Sequence, residues 1–241
     1  MRETEIISGD MRISIIQDVF SPSQELENVV NLIWENAIVK QNFHLTNSKV
    51  LRFIEKLDNN IIAQVCEYKY FYAQSKHPDL FASLNITILA VSGITICGNG
   101  IVVGKRSVNS LQDPGSWELT PSGSIGVPDL PLKIDADYAK DQVIVELEEE
   151  IGILSREIGN ISLIGYLRDT DAHVIDLLFA IKVTISRKEL NSRSLHTIND
   201  EYTEIRIVDL RLVSIFFWFK WKRVVASSHA LLRIYIQYLG N

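Results

Sequence analysis

The run Asn85–Thr95 (NITILAVSGIT) is apolar and rich in β-branched residues, with little polar alternation. That composition marks a strand buried on both faces. Gly98-Asn99-Gly100 follows as a tight turn, and Ile101-Val102-Val103-Gly104-Lys105-Arg106 reads as its return strand. Seven of the 12 glycines fall between Gly93 and Gly126, and four of the 6 prolines between Pro114 and Pro131. The hairpin thus opens onto a loop-rich centre, with more regular segments on either side. At 241 residues the chain lies near the ceiling for one hydrophobic core, which suits one domain with a sizeable extension or two small ones.

Before the centre, residues 23–40 place Leu26, Val29, Val30, Ile33, Trp34 and Ala37 at three- and four-residue spacing, the pattern of an amphipathic helix. Asn47–Glu55 and Asn60–Tyr72 read as strands. After the centre, Ala139, Val143, Leu147 and Ile151 recur at four-residue steps, so residues 135–150 are expected to form a helix. Asp135 or Asp137 would cap it and Gly152 would end it. Ile161–Leu167, Val174–Ile185 and Glu204–Asp209 read as strands, and residues 186–203 as a polar loop. Ser228–Tyr238 reads as a closing helix capped by Ser227 or Ser228. The pattern is α+β, with one helix inserted among many strands and no internal repeat.

Lys and Arg number 24 against 30 Asp and Glu, a net charge of −6. That balance argues against a sequence-independent nucleic-acid binder, which needs a basic face. It leaves small anionic substrates open, because a metal ion can supply positive charge. Cys66 and Cys97 are too few for a disulfide framework and read as small buried hydrophobes. The charged first twenty residues do not resemble a signal peptide, and the longest apolar run, Ile215–Phe219, is far short of a membrane span. The chain therefore reads as soluble and cytoplasmic. The five histidines lack zinc-ligand spacing, and no phosphate-binding G-x-x-x-x-G-K-[ST] loop occurs. The aromatic and basic stretch Phe216–Arg223 is expected to pack between the sheet and the last helix and to offer a homodimer contact, rather than to meet a membrane or nucleic acid.

The last turn of the central helix reads Glu146-Leu147-Glu148-Glu149-Glu150. Residues i, i+3 and i+4 share a helical face, so Glu146, Glu149 and Glu150 converge while Glu148 points elsewhere. Three carboxylates there repel one another and oppose the helix dipole, a cost that a cation would relieve. Hard divalent ions such as Mg²⁺ take oxygen ligands of this kind. A solvated acidic helix end is the alternative from spacing alone.

The stretch Glu146–Ile153, Glu-Leu-x-Glu-Glu-x-Gly-Ile, resembles the end of the Nudix box, R-E-U-x-E-E-x-G-U with U aliphatic. Trp117-Glu118-Leu119-Thr120-Pro121-Ser122-Gly123-Ser124 is similar to the family's approach to that box, and Glu204–Val208 to its later E-x-x-W-V strand. The resemblance covers the chain from residue 85 onward, in the right order, and departs from the family at two places. Val145 stands where the family has arginine. The box's leading glycine would fall on Pro131, so Gly123 is taken as its counterpart, with a longer connection to Asp137 at the early glutamate position.

The resemblance implies an α/β fold, a Nudix α/β/α sandwich with a mixed sheet, over residues 85–241. Residues 1–84 would form an N-terminal α+β extension packed on it. It implies Mg²⁺- or Mn²⁺-dependent hydrolysis of a nucleoside diphosphate linked to another moiety. Glu149 and Glu150 would be the principal metal ligands, with Glu146 a further ligand or an orienter of water and the Gly123 carbonyl an additional ligand. Glu204, Glu201 and Asp200 remain open as the general base. Lys105 and Arg106 could hold a phosphate. The extension, with Trp34, Asn42, Leu45, Asn47, Tyr70 and Tyr72, is similar to a subgroup acting on nucleotide sugars such as UDP-glucose, which makes Tyr72 a substrate-binding candidate. Core packing is the competing role for Trp34, and strand faces for the two tyrosines. The competing functional class, marked by Val145, is a domain that binds a nucleotide such as ADP-ribose without cleaving it.

Overall fold

The computed structural model describes residues 2–6, 11–40, 46–110, 112–127, 136–194 and 201–240. Asn42, Leu45, Pro131, Asp135 and Asp200 lie outside the described residues. The strands are β1 (Arg2–Ile6), β2 (Arg12–Ile16), β3 (Lys49–Leu57), β4 (Asn60–Glu67), β5 (Ile88–Cys97), β6 (Gly100–Arg106), β7 (Trp117–Leu119), β8 (Ser122–Ser124), β9 (Ile158–Asp169), β10 (Val174–Val183) and β11 (Tyr202–Asp209). The helices are α1 (Gln24–Lys40), α2 (Tyr68–Lys76), α3 (Phe81–Leu84), α4 (Ala136–Ile151), α5 (Arg187–Ser194), α6 (Val213–Phe219) and α7 (Ala226–Gly240).

The strands form one mixed sheet with a main path β1-β9-β10-β5-β3-β4-β2. At its centre β5 and β10 run parallel from Ile88↔Val174 to Cys97↔Val183, and β9 continues antiparallel on β10. β6 joins β5 to β7 and β11, and β8 lies along β5. Strand alternation divides the side chains between two layers. Leu89, Val91, Leu177, Phe179 and Ile181 pack with Ala139, Val143, Leu147 and Ile151 of α4. Ile94, Leu178 and Ala180 pack with Ala230, Leu231 and Ile234 of α7. The expected sandwich, a mixed sheet between the acidic helix and the closing helix, is therefore observed. Strands from both sides of position 84 share the sheet, since Arg52 pairs with Ile88 and the Phe53 amide donates to the Thr87 carbonyl at 2.7 Å.

Four expectations need correction. The strand expected over Asn60–Tyr72 ends at Glu67, and α2 begins at Tyr68. Tyr68, Phe71 and Tyr72 then share one helical face, and packing against α1 overrides the strand preference of aromatic residues. Trp34 and Tyr72 meet edge to face at 5.4 Å, so both are core residues of the α1–α2 contact. The loop expected over 186–203 contains α5, anchored by fully buried Leu190 and by Arg193, whose guanidinium donates to both oxygens of Glu157 at 2.8 Å. Ser228 is not a cap: it lies inside α7, where its hydroxyl accepts from the Leu119 amide at 2.9 Å. Asp137 likewise lies in the first turn of α4 rather than at its cap. Gly152 ends that helix as expected, at φ 68°.

The aromatic stretch divides. Val213 and Phe217 of α6 are buried with the α7 layer, while Trp218 and Phe219 are over 70% exposed, at 71% and 73%. Among the described residues no helix is long and apolar enough to cross a membrane. Cys66 and Cys97 are buried free thiols, and burial pushes Cys66 up to about 12.

Candidate active site

The connection between β7 and β8 is pinned to the middle of the sheet by Gly93. Its amide donates to the Pro121 carbonyl at 2.7 Å, and a β-carbon there would come within 2.5 Å of Pro121 Cδ. Only glycine admits this approach. β8 is thereby laid against β5, with Ser92 facing Ser122 and Val91 facing Gly123, under the last turns of α4.

Two of the three glutamates on the α4 face turn toward β8. Glu146 packs against the α-carbon of Gly123, where a β-carbon would collide with its carboxyl group, and accepts from Gln142 Nε2 at 2.9 Å. Glu150 is 1% exposed and accepts from the Ser122 amide at 2.9 Å. Glu149 stays exposed at the rim, as does Glu148. Burial raises Glu146 to about 7, and the neighbouring charges of Glu149 and Glu201 push it further the same way. Glu150 is raised well above the usual carboxyl range, by burial first and then by Glu201 and Glu118.

Glu118 extends this cluster. It is 2% exposed and forms an ion pair with Arg106, Nη1 to Oε1 at 2.6 Å. The Tyr202 hydroxyl lies 2.7 Å from Glu118 Oε1 and 3.0 Å from Glu150 Oε2. It has one proton to donate, so the second contact needs a proton on the carboxyl side. The high protonation tendency of Glu150 meets that need. Burial also raises Glu201, whose carboxyl is 4.0 Å from Arg106.

The structure brings Glu146, Glu150, Glu201, Gly123 and Arg106 into one neighbourhood. It does not bring Glu204 there. A register shift between Tyr202 and Glu204 sets them on opposite faces of β11, and Glu204 pairs with Arg206. Lys105 pairs in register with Trp117 and Glu204, and its carbonyl accepts from Thr203 Oγ1 at 3.3 Å. Tyr72 faces Trp34 instead. Tyr68, one helical turn before it, and the adjacent Phe71 are the α2 aromatics that reach the cavity. Glu118 and Tyr202 carried no role in the sequence; the motif Trp117-Glu118-Leu119 placed Glu118 on a strand too short to show which face it takes.

A cavity of about 420 Å³ opens beside the cluster. Ser122, Gly123, Glu118, Arg106 and Glu201 line it, with Tyr68 of α2. Among the described residues no three carboxylate, imidazole or thiol groups already stand close enough to cage an ion. The chemistry of the donor set nonetheless suits one. The Glu146 and Glu150 carboxyls are raised by burial first and then by neighbouring carboxylates, a repulsion that a hard divalent ion relieves. Glu146, Glu149 and Glu150, with the Gly123 carbonyl, are the residues that would hold it.

No family model matches the sequence, and no curated protein matches it. Solved structures do. The chain is similar to DR0079 from Deinococcus radiodurans, with 9% identity over 61% of this chain and 81% of that one, at a TM-score of 0.43. It is similar to the MutT protein from Methanosarcina mazei Go1, with 20% identity over 64% of this chain and 96% of that one, at a TM-score of 0.42. A third similarity is to a bifunctional NMN adenylyltransferase/ADP ribose pyrophosphatase from Francisella tularensis, with 14% identity over 70% of this chain and 46% of that one, at a TM-score of 0.44.

Proposed function

We propose that this chain is a Nudix-type pyrophosphohydrolase that cleaves the diphosphate bridge of a nucleoside diphosphate linked to a second group. The assigned substrate is a nucleotide sugar of the UDP-glucose kind, giving a nucleoside monophosphate and a sugar phosphate. Residues 85–241 carry the chemistry, and residues 1–84 shape substrate access through α2. The observation that carries this reading is the pair Glu146 and Glu150 set against β8, where Glu150 accepts from the Ser122 amide, Glu146 packs on Gly123, and burial and neighbouring carboxylates raise both. A carboxylate face of that kind has a use when Mg²⁺ or Mn²⁺ is present.

The bound ion would neutralise charge on the diphosphate oxygens and lower the pKa of a coordinated water. The chain's own residues divide the remaining work. Glu146 and Glu149 hold and orient the charged groups, and Glu201, rather than Glu204, is placed to take a proton near the cluster. Arg106 is held by Glu118, so its guanidinium presents a fixed positive edge to the cavity. The test is a panel of nucleoside diphosphate derivatives with Mg²⁺ and Mn²⁺, reading phosphate released after phosphatase coupling. Glu149→Gln, at an exposed position, should remove most turnover while leaving the melting temperature unchanged. A variant as active as the parent would sink the assignment.

A second reading is favoured by Val145, which is 46% exposed where the resembled family has arginine, and by the engagement of both Glu150 oxygens. In that reading the chain binds the nucleotide without cleaving it. Calorimetry showing tight binding of intact UDP-glucose or ADP-ribose, with no product in either metal, would favour it.

A further inference from the structure

Ser92 of β5, the register partner of Ser122, and Asp176 of β10 also line the cavity. Asp176, the third residue of β10, stands in register with Ala90 among apolar neighbours and is 6% exposed. Its Oδ1 accepts from Ser92 Oγ at 2.9 Å. Among the described residues this is its one hydrogen bond, although a carboxylate offers about four acceptor positions. A buried carboxyl left so poorly matched is costly unless something else meets it.

The nearby cations do not. Arg2 is bound to Asp169 at 2.6 Å and Arg106 to Glu118 at 2.6 Å. Burial raises Asp176 to about 6, and Asp169 and Glu118 add to the rise. The carboxyl lines the cavity, and its direct neighbours there, Ala90 and Val174, are small. Tyr68 and Phe71 of α2 line the same cavity. Aromatic rings lining one cavity with a buried, unspent acceptor suit a planar heterocycle that carries an N–H group.

We propose that Asp176, positioned by Ser92, accepts a hydrogen bond from an N–H of the substrate's nucleobase and so sets which base the protein takes. This rests on the nucleoside diphosphate reading above and deepens it. With the base at Asp176, the phosphate chain extends toward Ser122 and Gly123, the cavity residues that Glu150 and Glu146 contact.

The test is calorimetry on the full chain without metal, using nucleoside monophosphates, which contain no bridge to cleave. UMP is compared with 3-methyl-UMP, and AMP with purine riboside monophosphate, the second of each pair lacking the donor. A hydrogen bond to a charged group predicts about tenfold or tighter binding of the donor-bearing member in at least one pair. Asp176→Asn, which keeps the shape but presents an amide, should erase or invert that preference. Should that variant melt below the working temperature, Ser92→Ala is the second probe and should weaken the preference. Equal affinities within both pairs in the parent, a preference that survives Asp176→Asn, or no nucleotide binding would each overturn the proposal. Turnover of the substrate panel separates it from the hydrolase reading. Glu149-dependent cleavage without base discrimination removes only the Asp176 role, and base discrimination without cleavage removes only hydrolysis.

Discussion

The α-carbon of Gly123 rests directly on the carboxyl group of Glu146, with no space between them for a β-carbon. Gly123→Ala therefore has to displace either β8 or the glutamate. Overpacking of this kind costs about 1–3 kcal/mol. The expected outcome is a lower melting temperature together with a larger loss in metal-dependent turnover than the stability change explains. Unchanged turnover in a folded variant would show that Glu146 does not need this seat.

Tyr202→Phe deletes the hydroxyl between Glu118 and Glu150 and leaves the ring in place. Hydrogen bonds to charged groups contribute about 1.5–3 kcal/mol, so destabilisation of that order is expected in urea unfolding. The variant should also lose metal affinity, because Glu150 is no longer steadied on that side. A phenylalanine variant as stable as the parent would mean that the hydroxyl is not shared as described.

Arg106 and Glu118 form a buried ion pair. Removing one partner strands the other charge, a loss of about 3–5 kcal/mol, whereas replacing both with apolar residues of similar size is close to neutral. Arg106→Met should therefore unfold at a much lower temperature than the double variant Arg106→Met with Glu118→Leu. Phosphate binding should be lost in both. If the single and double variants melt together, the pair is not coupled.

Several carboxyls in one place set the pH response. Glu146 is raised from 4.5 to about 7, and Glu150, Glu118 and Glu201 are raised too, in each case by burial first. The folded protein thus retains protons that the unfolded chain has released, and stability falls as pH rises from about 4.5 through about 7. Melted without metal, the protein should lose several degrees between about pH 5 and pH 8. Mg²⁺ should restore more at the upper end than at the lower, and Glu146→Gln should flatten the slope. A melting temperature that rises over this range would contradict the assignment of these carboxyls.

Periodicity made the centre of the molecule legible. The four-residue recurrence of Ala139, Val143, Leu147 and Ile151 gave α4 and its buried stripe, and the apolar run before Gly98 gave β5. Aromatic residues misled where two periods compete: Tyr68, Phe71 and Tyr72 suit a strand until α1 is present to pack against them. That Glu204 turns away from the cluster follows from a register shift in β11, which a residue string does not display. Asp176 did leave a signal, as the lone carboxylate in the apolar stretch VIDLLFAI, but its meaning depends on Arg2 and Arg106 being spent elsewhere, and only the fold brings them near.

The cavity wall includes Arg2 near one end of the chain and Ser227 at the start of its last helix, with residues of α2, β5, β8 and β10 between them. Its central strands, β5 and β10, pair only after the whole α4 segment has been made. Contacts of such long sequence separation form late and slowly. The binding pocket is therefore a product of completed folding. A nascent or clipped chain could hold native helices and hairpins and still offer a ligand nowhere to sit.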